Sequence, residues 1–444
     1  MLVGVAKRVI TPALGSELAG FDAREGVATA VHDDLYARAV VLEVAGETVA
    51  LVTLDLIGIS QQTTDAVREA IGTSTGIAAR NVVLCATHTH CGPVTIKHFF
   101  NAVQPMDEAY LKELTAKTIA AVEEAYAQRT SATLRSGLVK VEGVAVNRRT
   151  ESGQPIDDVA GVLTIESPEG KLCAVLVSYA CHPTVLGPNT LDVTRDFPHY
   201  LDVELTKQLG DDVTVLYFNG TEGDLSIGHK SFLSAVGVIA SFRTYAKAEE
   251  IGGRLARAVL TGLPQLSVEK PEIVVTHAIV ALPLKNYEPY AAIQQKTIDA
   301  KQALDVANAA LPEGVEAPFE VILKRQDFLF TRIEEYYASL LTTQPEAKTL
   351  DVEVSVIRLG DTALLFVPGE VFVEIGLAIR ARSPFAKTMF FGLANDYIGY
   401  VPTIEQAKLV GYEVVASRVT PEASLVLADD SVKALEAAFH AKER

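Results

Sequence analysis

Residues 39–58 constrain the fold of this chain most strongly, because they predict a buried β-hairpin. The segment AVVLEVAGETVALVTLDLIG holds two runs rich in β-branched residues that meet at Gly46-Glu47. Two such runs joined by a short turn are typical of paired strands with at least one buried face. A helix is expected after Ser60 and another strand over residues 81–86. The chain therefore begins as a sheet with helices packed beside it.

Downstream, helical and strand patterns alternate. Apolar residues at helical spacing predict an amphipathic helix from Met106 to about Arg129. Further strands are expected at 132–146, 160–166, 172–179, 213–218, 351–367 and 387–392, and further helices at 197–209 and from about 421 to 442. Together these patterns predict an α/β fold of layered, mixed β-sheets flanked by helices.

The segment 286–345 differs in composition from the rest of the chain. It is rich in Lys, Gln, Glu and Ala and predicts helices on either side of a proline-containing loop near 312–318. We interpret it as a helical insertion or cap within a single domain of residues 1–444, since no flexible linker or repeat divides the chain.

Composition excludes several classes of protein. A hydrophobic fraction of 49% across 444 residues indicates a globular chain with an extensive core. The 39 Lys and Arg against 56 Asp and Glu give a formal net charge of −17, and no run of basic residues is present. Nucleic acid is therefore not an expected partner. The acidity does not by itself indicate a cationic substrate.

The cysteines and the apolar segments bear on compartment. The four cysteines lack CxxC spacing and are expected to be reduced, semi-buried thiols. The N-terminus alternates like a strand and lacks the apolar core of a signal peptide, and no stretch reaches 18 uncharged apolar residues. We expect a cytoplasmic protein without stable membrane insertion. Its oligomeric state is left open.

The string VVLCATHTHCGP at 82–93 carries the first candidate site residues. If the backbone stays extended through Thr89, His88 and His90 point to the same side of the strand. They could then serve as metal ligand and proton carrier, or as two ligands. Two histidines are too few for a closed zinc site, and they could instead only cap the strand by bonding to carbonyls. A metal site requires other residues to converge here.

Other predicted elements also end in chemically capable side chains, where sites in layered sheets usually lie. These residues are Arg148 in VNRR, His182 in CHPT, Asp224 in a glycine-rich loop, Glu370 after Pro368-Gly369, and Tyr397 and Tyr400. Each has a simpler explanation. Glu370 could compensate the dipole of a helix that it opens, His182 could end a strand, and Arg148 could lie on the surface.

Taken jointly, the motifs resemble the catalytic domain of the neutral, non-lysosomal ceramidase family. The matching strings, in the family's order, are GVAKRVITP, HDDLYARA at 32–39, THTHCGP at 87–93, VNRR at 146–149, CHPT at 181–184, GDLS at 223–226, PGE at 368–370 and NDYIGYVPT at 395–403. The resemblance is to a short, bacterial-like member, and it implies a ceramidase-like fold.

The resemblance implies a zinc-dependent amidase that cleaves a C–N bond by attack of a zinc-bound water. One zinc per chain would be held by His88, His182, Glu370 and Tyr400, with Tyr397 as the competing tyrosine. Catalytic zinc with nitrogen and oxygen ligands and an open position suits this chemistry, because it acidifies water and polarises a carbonyl.

The same resemblance suggests roles for the neighbouring residues. His90, expected near its ordinary pKa of about 6.5, would handle protons beside the metal. Arg148 and Tyr412 would face the substrate carbonyl, where they could stabilise developing negative charge. Asp224 and Ser226 would lie in a supporting loop.

Three departures from the family concern the substrate. The sequence given shows no secretion signal and no C-terminal β-sandwich domain, and the 286–345 segment could reshape the pocket rim. We expect a small-molecule amide or N-acyl substrate other than membrane ceramide. Cys91 also replaces the serine of the familiar string, which we expect to leave the metal site intact.

Two other functions stay open from the residues alone. In the first, His88 and His90 both ligate a two-metal centre that hydrolyses an ester, lactone or phosphoester. In the second, the chain is a non-catalytic binding protein on the same scaffold. A cysteine hydrolase is not expected, because Cys91 and Cys181 each adjoin a histidine in sequence and neighbours on a strand point to opposite faces.

Overall fold

The computed structural model describes residues 1–99, 106–312 and 317–441. In chain order its strands are β1 Leu2–Val9, β2 Ala30–Val31, β3 Tyr36–Val44, β4 Glu47–Leu54, β5 Val82–Ala86, β6 Thr130–Ser131, β7 Thr133–Lys140, β8 Val146–Asn147, β9 Val159–Glu166, β10 Leu172–Tyr179, β11 Asp192–Val193, β12 Thr214–Asn219, β13 Leu225–Ser226, β14 Ser267–Val268, β15 Ile273–Pro283, β16 Thr349–Leu359, β17 Thr362–Phe366, β18 Glu370–Val371, β19 Lys387–Phe391 and β20 Tyr400–Val401. Its helices are α1 Gln61–Thr75, α2 Glu108–Ala127, α3 Phe197–Leu209, α4 Ser231–Ala235, α5 Tyr245–Gly262, α6 Tyr290–Ala309, α7 Phe319–Thr342, α8 Val373–Arg382, α9 Ile404–Ala407, α10 Tyr412–Val415 and α11 Ala423–His440.

Three mixed sheets form the framework. Their strand orders are β5-β4-β3-β1-β6, β12-β10-β9-β7-β14 and β15-β16-β17-β19. Each combines antiparallel pairs with one parallel pair, namely β4 with β5, β10 with β12, and β17 with β19. Because β5 and β10 run parallel to their neighbours in two different sheets, the segments that follow them can deliver side chains to a shared site.

A core shared by the three sheets holds the layers together. It contains Leu42 and Leu51 from the first sheet, Leu176 from the second, and Phe366 and Phe391 from the third, all buried. Packing side chains from facing sheets in this way is the usual source of stability in layered folds. The outer sheet faces are covered by α1 and α2, by α3 and α5, and by α7, α8 and α11, respectively.

Local signals fix several helix ends. The Ser60 side chain accepts a hydrogen bond from the Thr63 amide at the start of α1, and Gly76 ends that helix with φ 77°. Asp107 caps α2 in the same way, by accepting from the Ala109 and Tyr110 amides. Such caps satisfy backbone groups that a helix terminus leaves unpaired.

The predicted helical insertion consists of α6 and α7, which pack against each other. Leu329 and Ile333 of α7 are buried in the core of the third sheet. Arg332 of the same helix forms an ion pair with Asp22 at 3.0 Å, and its guanidinium also donates to the Phe99 carbonyl at 3.4 Å. Through Phe99, the insertion thus contacts the loop that follows His88 and His90. The central part of the predicted 312–318 loop lies outside the described residues.

The predicted α/β class is confirmed, and most predicted elements are present. Helix 197–209 and strand 172–179 have the predicted bounds. Two predicted strands were too long: 132–146 contains β7 and reaches only the first residue of β8, and 351–367 divides at a turn around Gly360. Gly360 has φ 57°, which an extended strand cannot accommodate. The predicted end of the last helix, residue 442, lies outside the described chain.

Some predictions remain untested by the fold. No helix in the described part of the chain is long and apolar enough to cross a membrane. The cytoplasmic location and the treatment of residues 1–444 as one domain stay predictions.

Candidate active site

His88 is placed by a left-handed turn, so the condition of an extended backbone through Thr89 is not met. Strand β5 ends at Ala86, and His88 has φ 72°. Its amide bonds the Leu56 carbonyl at 2.9 Å, and its Nδ1 lies 2.6 Å from the Ile57 carbonyl oxygen. The two imidazoles still converge, because His88 Nε2 and His90 Nε2 are 3.2 Å apart. Contacts with the neighbouring strand end, and not strand alternation, bring them together.

His182 and Glu370 meet His88 from two other sheets. His182 follows β10, and its Nε2 lies 2.8 Å from Glu370 Oε2. The same carboxylate oxygen is 3.5 Å from His88 Nε2. Glu370 is in the short strand β18, beside Tyr400 of β20, and α8 begins only at Val373. The interpretation of Glu370 as a first-turn helix residue is therefore wrong, because its carboxylate faces the histidines.

The tautomers of two histidines follow from their backbone contacts. His182 Nδ1 lies 2.8 Å from the Glu222 carbonyl and 3.0 Å from that of Leu225, and His88 Nδ1 has an equivalent carbonyl partner. A carbonyl can only accept, so each Nδ1 carries a hydrogen, and Nε2 is the nitrogen that faces Glu370. Metal-ligating histidines are typically held in this way. The same observation rejects mere strand capping, since the Nε2 atoms face the carboxylate.

The carboxylate of Glu370 is almost fully buried, with 1% exposure. Burial alone would raise its pKa, but the neighbouring His88 and the hydrogen bond from His182 hold that pKa well below 4.5. The ligand atoms of His88, His90 and His182 lie within 4.8 Å of one another. A buried anion surrounded by imidazole nitrogens fits a divalent cation, and the nitrogen and oxygen donors suit zinc.

The two candidate tyrosines have different hydrogen-bonding roles. Tyr397 donates its hydroxyl to Glu370 Oε1 at 2.6 Å. The Tyr400 hydroxyl instead accepts from the Arg148 guanidinium at 3.2 Å. Tyr397 is therefore a neutral donor to the carboxylate, whereas the oxygen of Tyr400 keeps electron density that a cation could share. Burial raises the pKa of both phenols well above 10.

His90 differs from the other two histidines. Its Nδ1 is buried and has no hydrogen-bond partner within the described part of the chain. Burial, together with the charges of His88 and His182, lowers its pKa well below 6.5, so the expected ordinary pKa is wrong. Gly20 packs against the ring: a Cβ built there would lie 2.4 Å from His90 Nδ1. His90 is thus a neutral imidazole confined by its neighbours.

Arg148 is held in the site by a buried ion pair. Its Nε donates to Glu413 Oε1 at 2.7 Å, and both side chains are under 5% exposed. Arg149 binds the other oxygen of the same carboxylate at 2.8 Å. Glu413 is next to Tyr412, whose ring centroid lies 5.9 Å from that of Tyr400. The pair therefore places a cation and a phenol at the same side of the histidine cluster.

Asp224 and Ser226 form hydrogen bonds that hold the backbone around Arg148. Asp224 accepts from the Asn147 side chain at 2.7 Å and from the Val373 amide at 2.8 Å, while its carbonyl accepts from the Arg148 amide at 2.9 Å. The Ser226 hydroxyl accepts from the Gly228 amide. These bonds join the turn at Arg148 to the start of α8.

Sequence reasoning missed several residues of the site. Glu222 is fully buried, neither of its carboxyl oxygens has a partner among the described residues, and burial raises its pKa well above 4.5. Its burial and the nearby charge of Glu370 both disfavour the ionised form. Gly20, Arg24 and Glu413 were also missed, since none lies in a recognisable spacing pattern. The motif string that contains Glu222, NGTEGDLS, was the one available signal.

A cavity of about 350 Å³ opens beside the histidines. Its wall combines apolar side chains with proposed site residues: Ala19, Gly20, Ile57, His88, His90, Ile96, His98, Glu370, Tyr397, Tyr400 and Tyr412. An enclosure of this kind can hold an apolar group of a ligand next to the polar cluster.

A second group of potential metal ligands, His32, Asp33 and His199, lies elsewhere. Arg195 already occupies it: the Nε atom is 3.1 Å from Asp33 Oδ1, and another guanidinium nitrogen is 2.9 Å from His199 Nδ1. The guanidinium of Arg195 therefore takes the position that a metal ion would need.

The cysteines are free, and their environment opposes thiolate chemistry. Cys85, Cys91 and Cys181 are buried. Burial raises the pKa of Cys91 to about 12, which leaves almost no nucleophilic thiolate at neutral pH. This agrees with the expectation that the chain is not a cysteine hydrolase.

Comparison with known proteins identifies a family that the first part of this chain matches. Residues 1–212 match the model of the neutral/alkaline non-lysosomal ceramidase family, N-terminal. The resemblance inferred from the motifs is thereby confirmed over these residues. A search of curated proteins found no significant match.

Two solved structures show the same fold over nearly the whole chain. One is a ceramidase complexed with C2, with a TM-score of 0.74 and 19% identity, covering 98% of this chain and 75% of that one. The other is a neutral ceramidase from Pseudomonas aeruginosa, with a TM-score of 0.74 and 20% identity, covering 98% of this chain and 74% of that one. The ceramidase-like fold is therefore shared beyond residue 212.

Proposed function

We propose that this protein is a zinc-dependent amidase that hydrolyses the C–N bond of a small N-acyl amide. The observation that carries the proposal is the buried contact of Glu370 with His88 and His182, each of which has its Nδ1 engaged by a backbone carbonyl. The match to a ceramidase family supports amide hydrolysis, because ceramide is itself an N-acyl amide.

We assign one zinc per chain to His88, His182, Glu370 and Tyr400. Tyr400 is favoured over Tyr397 because its oxygen accepts from Arg148, whereas Tyr397 uses its hydroxyl hydrogen on Glu370. A zinc ion at this position would polarise the amide carbonyl and make water more acidic. Two imidazole nitrogens, a carboxylate and a phenol are donors of the kind that would hold a catalytic zinc ion.

The chain's own residues supply the proton transfers. His90 is beside His88, and its neutral ring can accept a proton during attack on the amide carbon and return it to the leaving nitrogen. The Nδ1 atom of His90 has no hydrogen-bond partner among the described residues, which argues against a ligand role. Metal-ligating histidines usually donate a hydrogen bond from the ring nitrogen that does not bind the metal. We therefore assign His90 to proton handling.

Arg148 and Tyr412 are assigned to the substrate carbonyl. The buried guanidinium of Arg148 lies next to the Tyr400 hydroxyl, and Tyr412 lines the cavity. Charge that develops on the carbonyl oxygen would meet a fixed cation and a phenol, and donors of this kind contribute about 3 kcal/mol each to catalysis. Asp224 and Ser226 hold the supporting turns in place.

The substrate proposal follows from the apolar cavity that adjoins the polar cluster, because an apolar lining favours a short acyl or alkyl group. A hydrolysis screen with zinc-loaded protein over acylated amines, small amides and lactones tests it, together with zinc counting. Amide turnover with one zinc per chain is expected. Two metals per chain with turnover of lactones or phosphoesters would instead establish the two-metal alternative.

The binding-protein alternative is tested by the same preparation. Glu370→Ala should then change neither zinc content nor turnover, whereas the amidase requires both to fall. Within the described residues the histidines and Glu370 form one cluster with no further carboxylate among the candidate ligands, which favours a single metal.

A further inference from the structure

A second cavity, of about 330 Å³, adjoins the proposed metal site. It shares four residues with the apolar cavity, namely Gly20, His90, Tyr400 and Tyr412. The rest of its wall combines apolar surface with polar side chains: Phe21, Arg148, Thr184, His229, Ser231, Ser234 and Ala235. A substrate bound between the two cavities would therefore place an apolar group on one side and a polar group on the other.

The polar cavity offers hydrogen-bond donors that the protein itself leaves unused. Ser234 Oγ accepts from Arg243 at 2.7 Å, so its own hydrogen is available to another acceptor. His229 Nε2 lies 3.4 Å from the Thr184 hydroxyl, and its buried Nδ1 has no partner in the part of the chain that the structure describes. With Nε2 accepting from Thr184, Nδ1 carries the hydrogen and is a second free donor.

Positive charge surrounds this cavity. Two guanidiniums lie over the ring of Phe21, with the central carbon of Arg24 at 5.0 Å and that of Arg243 at 5.2 Å from its centroid. Arg24 bonds the carbonyls of Ala19 and His90. Arg243 bonds those of Thr184 and Leu186. Within residues 1–99, 106–312 and 317–441, neither guanidinium has a carboxylate within 4.0 Å.

Only part of this charge is balanced. Glu413 is shared between Arg148 and Arg149, and the buried Asp196 acts on Arg243 from a distance. Burial lowers the pKa of Arg24, and lowers that of Arg243 to about 10, which is the expected effect on a cation short of counter-charge. Buried charges normally occur with a partner.

We propose that the polar cavity is a subsite for a carboxylate, so that the preferred substrate carries an anionic group on one side of the scissile amide and an apolar group on the other. Ser234 and His229 donate to the carboxylate, and Arg243, Arg24 and Arg148 provide the favourable field. This specificity rests on the proposed amidase function, although the binding site itself does not require catalysis.

Kinetics on a matched pair of amides test the proposal directly. N-hexanoylglycine carries the carboxylate, and N-hexanoylglycinamide replaces it with a neutral group of similar size. For wild-type, zinc-loaded protein we expect kcat/KM to be at least tenfold higher for the anionic amide, with the difference expressed mainly in KM. Equal kcat/KM values for the two amides would overturn the subsite without requiring any variant.

Two substitutions at one position sharpen this test. Ser234→Asp places a carboxylate beside Arg243 and should bring the anionic-to-neutral ratio to unity or below. Ser234→Asn is the matched neutral control and should lower the ratio only severalfold. A ratio that Ser234→Asp leaves unchanged would contradict the assignment. If that variant does not fold, His229→Phe removes the second donor and should also reduce the ratio.

Binding distinguishes failure of the subsite from failure of the amidase. Calorimetric titration of the full chain with each amide measures affinity whether or not either compound is hydrolysed. Tighter binding of N-hexanoylglycine that Ser234→Asp abolishes would support the subsite even without turnover. Turnover of both amides with equal affinity would leave the amidase intact and reject the subsite.

Discussion

His182 Nε2 and Glu370 Oε2 lie 2.8 Å apart, although 188 positions separate the two residues in the chain. Each side chain is 1% exposed. His182 follows a strand of the second sheet and Glu370 follows a strand of the third, so the contact exists only when the layers are packed. A buried carboxylate that is within 3.5 Å of two imidazoles is an arrangement that a metal ion stabilises and that no single element could form.

Glu370→Ala should remove the metal. The substitution takes away the one carboxylate that contacts both His88 and His182, so we expect zinc affinity to fall by about 100-fold or more and turnover to fall with it. Metal analysis after dialysis against a weak chelator measures the first effect. Retention of one zinc per chain in the variant would show that Glu370 is not a ligand.

The two tyrosines should respond differently to loss of the hydroxyl. Tyr400→Phe is expected to weaken zinc binding, because its oxygen is the proposed ligand. Tyr397→Phe removes only a hydrogen bond to Glu370 Oε1 and should retain zinc. Its free energy of unfolding should fall by about 1.5–3 kcal/mol, the contribution of a hydrogen bond to a charged group. The reverse order of zinc affinities would make Tyr397 the ligand.

His90→Ala should reduce turnover while the metal stays bound. Loss of the proton carrier is expected to lower kcat by about 10²- to 10⁴-fold, whereas zinc content should remain near that of the wild type. Measuring both quantities on the same preparation is essential. Parallel loss of zinc and activity would show that His90 is a third histidine ligand.

Gly20→Ala should disturb His90 specifically. Gly20 has φ 96°, and a new Cβ would lie 2.4 Å from His90 Nδ1, so the ring must move. Gly15→Ala is a matched control, since Gly15 has φ 89° but nothing within 4 Å of its Cβ position. Both variants should lose about 1–2 kcal/mol of stability from backbone strain. Only Gly20→Ala should also lower kcat, by severalfold. Equal kcat in the two variants would contradict the contact.

Lys285 predicts a pH dependence of stability. Burial lowers its pKa from 10.5 to about 8, and its Nζ donates to the Val414 carbonyl at 2.5 Å. The unfolded chain therefore binds the proton more tightly, so this group destabilises the fold below pH 8 and the effect is relieved as pH rises from about 8 to 10.5.

Lys285→Met should stabilise the protein at pH 7 by up to about 3 kcal/mol, less the lost hydrogen bond. The difference in unfolding free energy between wild type and variant should shrink between pH 8 and 10.5. Urea denaturation of both proteins across this range measures it, and taking the difference cancels the titration of buried tyrosines. A difference independent of pH would show that Lys285 keeps an ordinary pKa.

The elements themselves were largely predictable from sequence. Alternation and helical spacing are local properties, so strand 172–179 and helix 197–209 could be placed correctly. The motif strings indicated the ceramidase family and, through it, the residues that meet at the site. His88, His182 and Glu370 do lie together, while their roles as ligands stay predictions.

What failed was the prediction of local geometry within the site. Strand alternation was one way to bring His88 and His90 together, but His88 lies in a left-handed turn, where its ring is held by the Ile57 carbonyl. His90 was expected to titrate normally, but its burial lowers its pKa. Neither property is visible in a window of neighbouring residues, because both depend on atoms from other strands.

The sequence by itself determined the α/β character of the chain, the order of its elements and the family it resembles, since these depend on periodicity and on short motifs. Only the tertiary structure decided that Gly20 confines His90, that Glu413 holds Arg148, and that Arg24 and Arg243 both lie over the ring of Phe21. The physical reason is distance: these effects arise between side chains that are remote in sequence and become neighbours only after the three sheets pack.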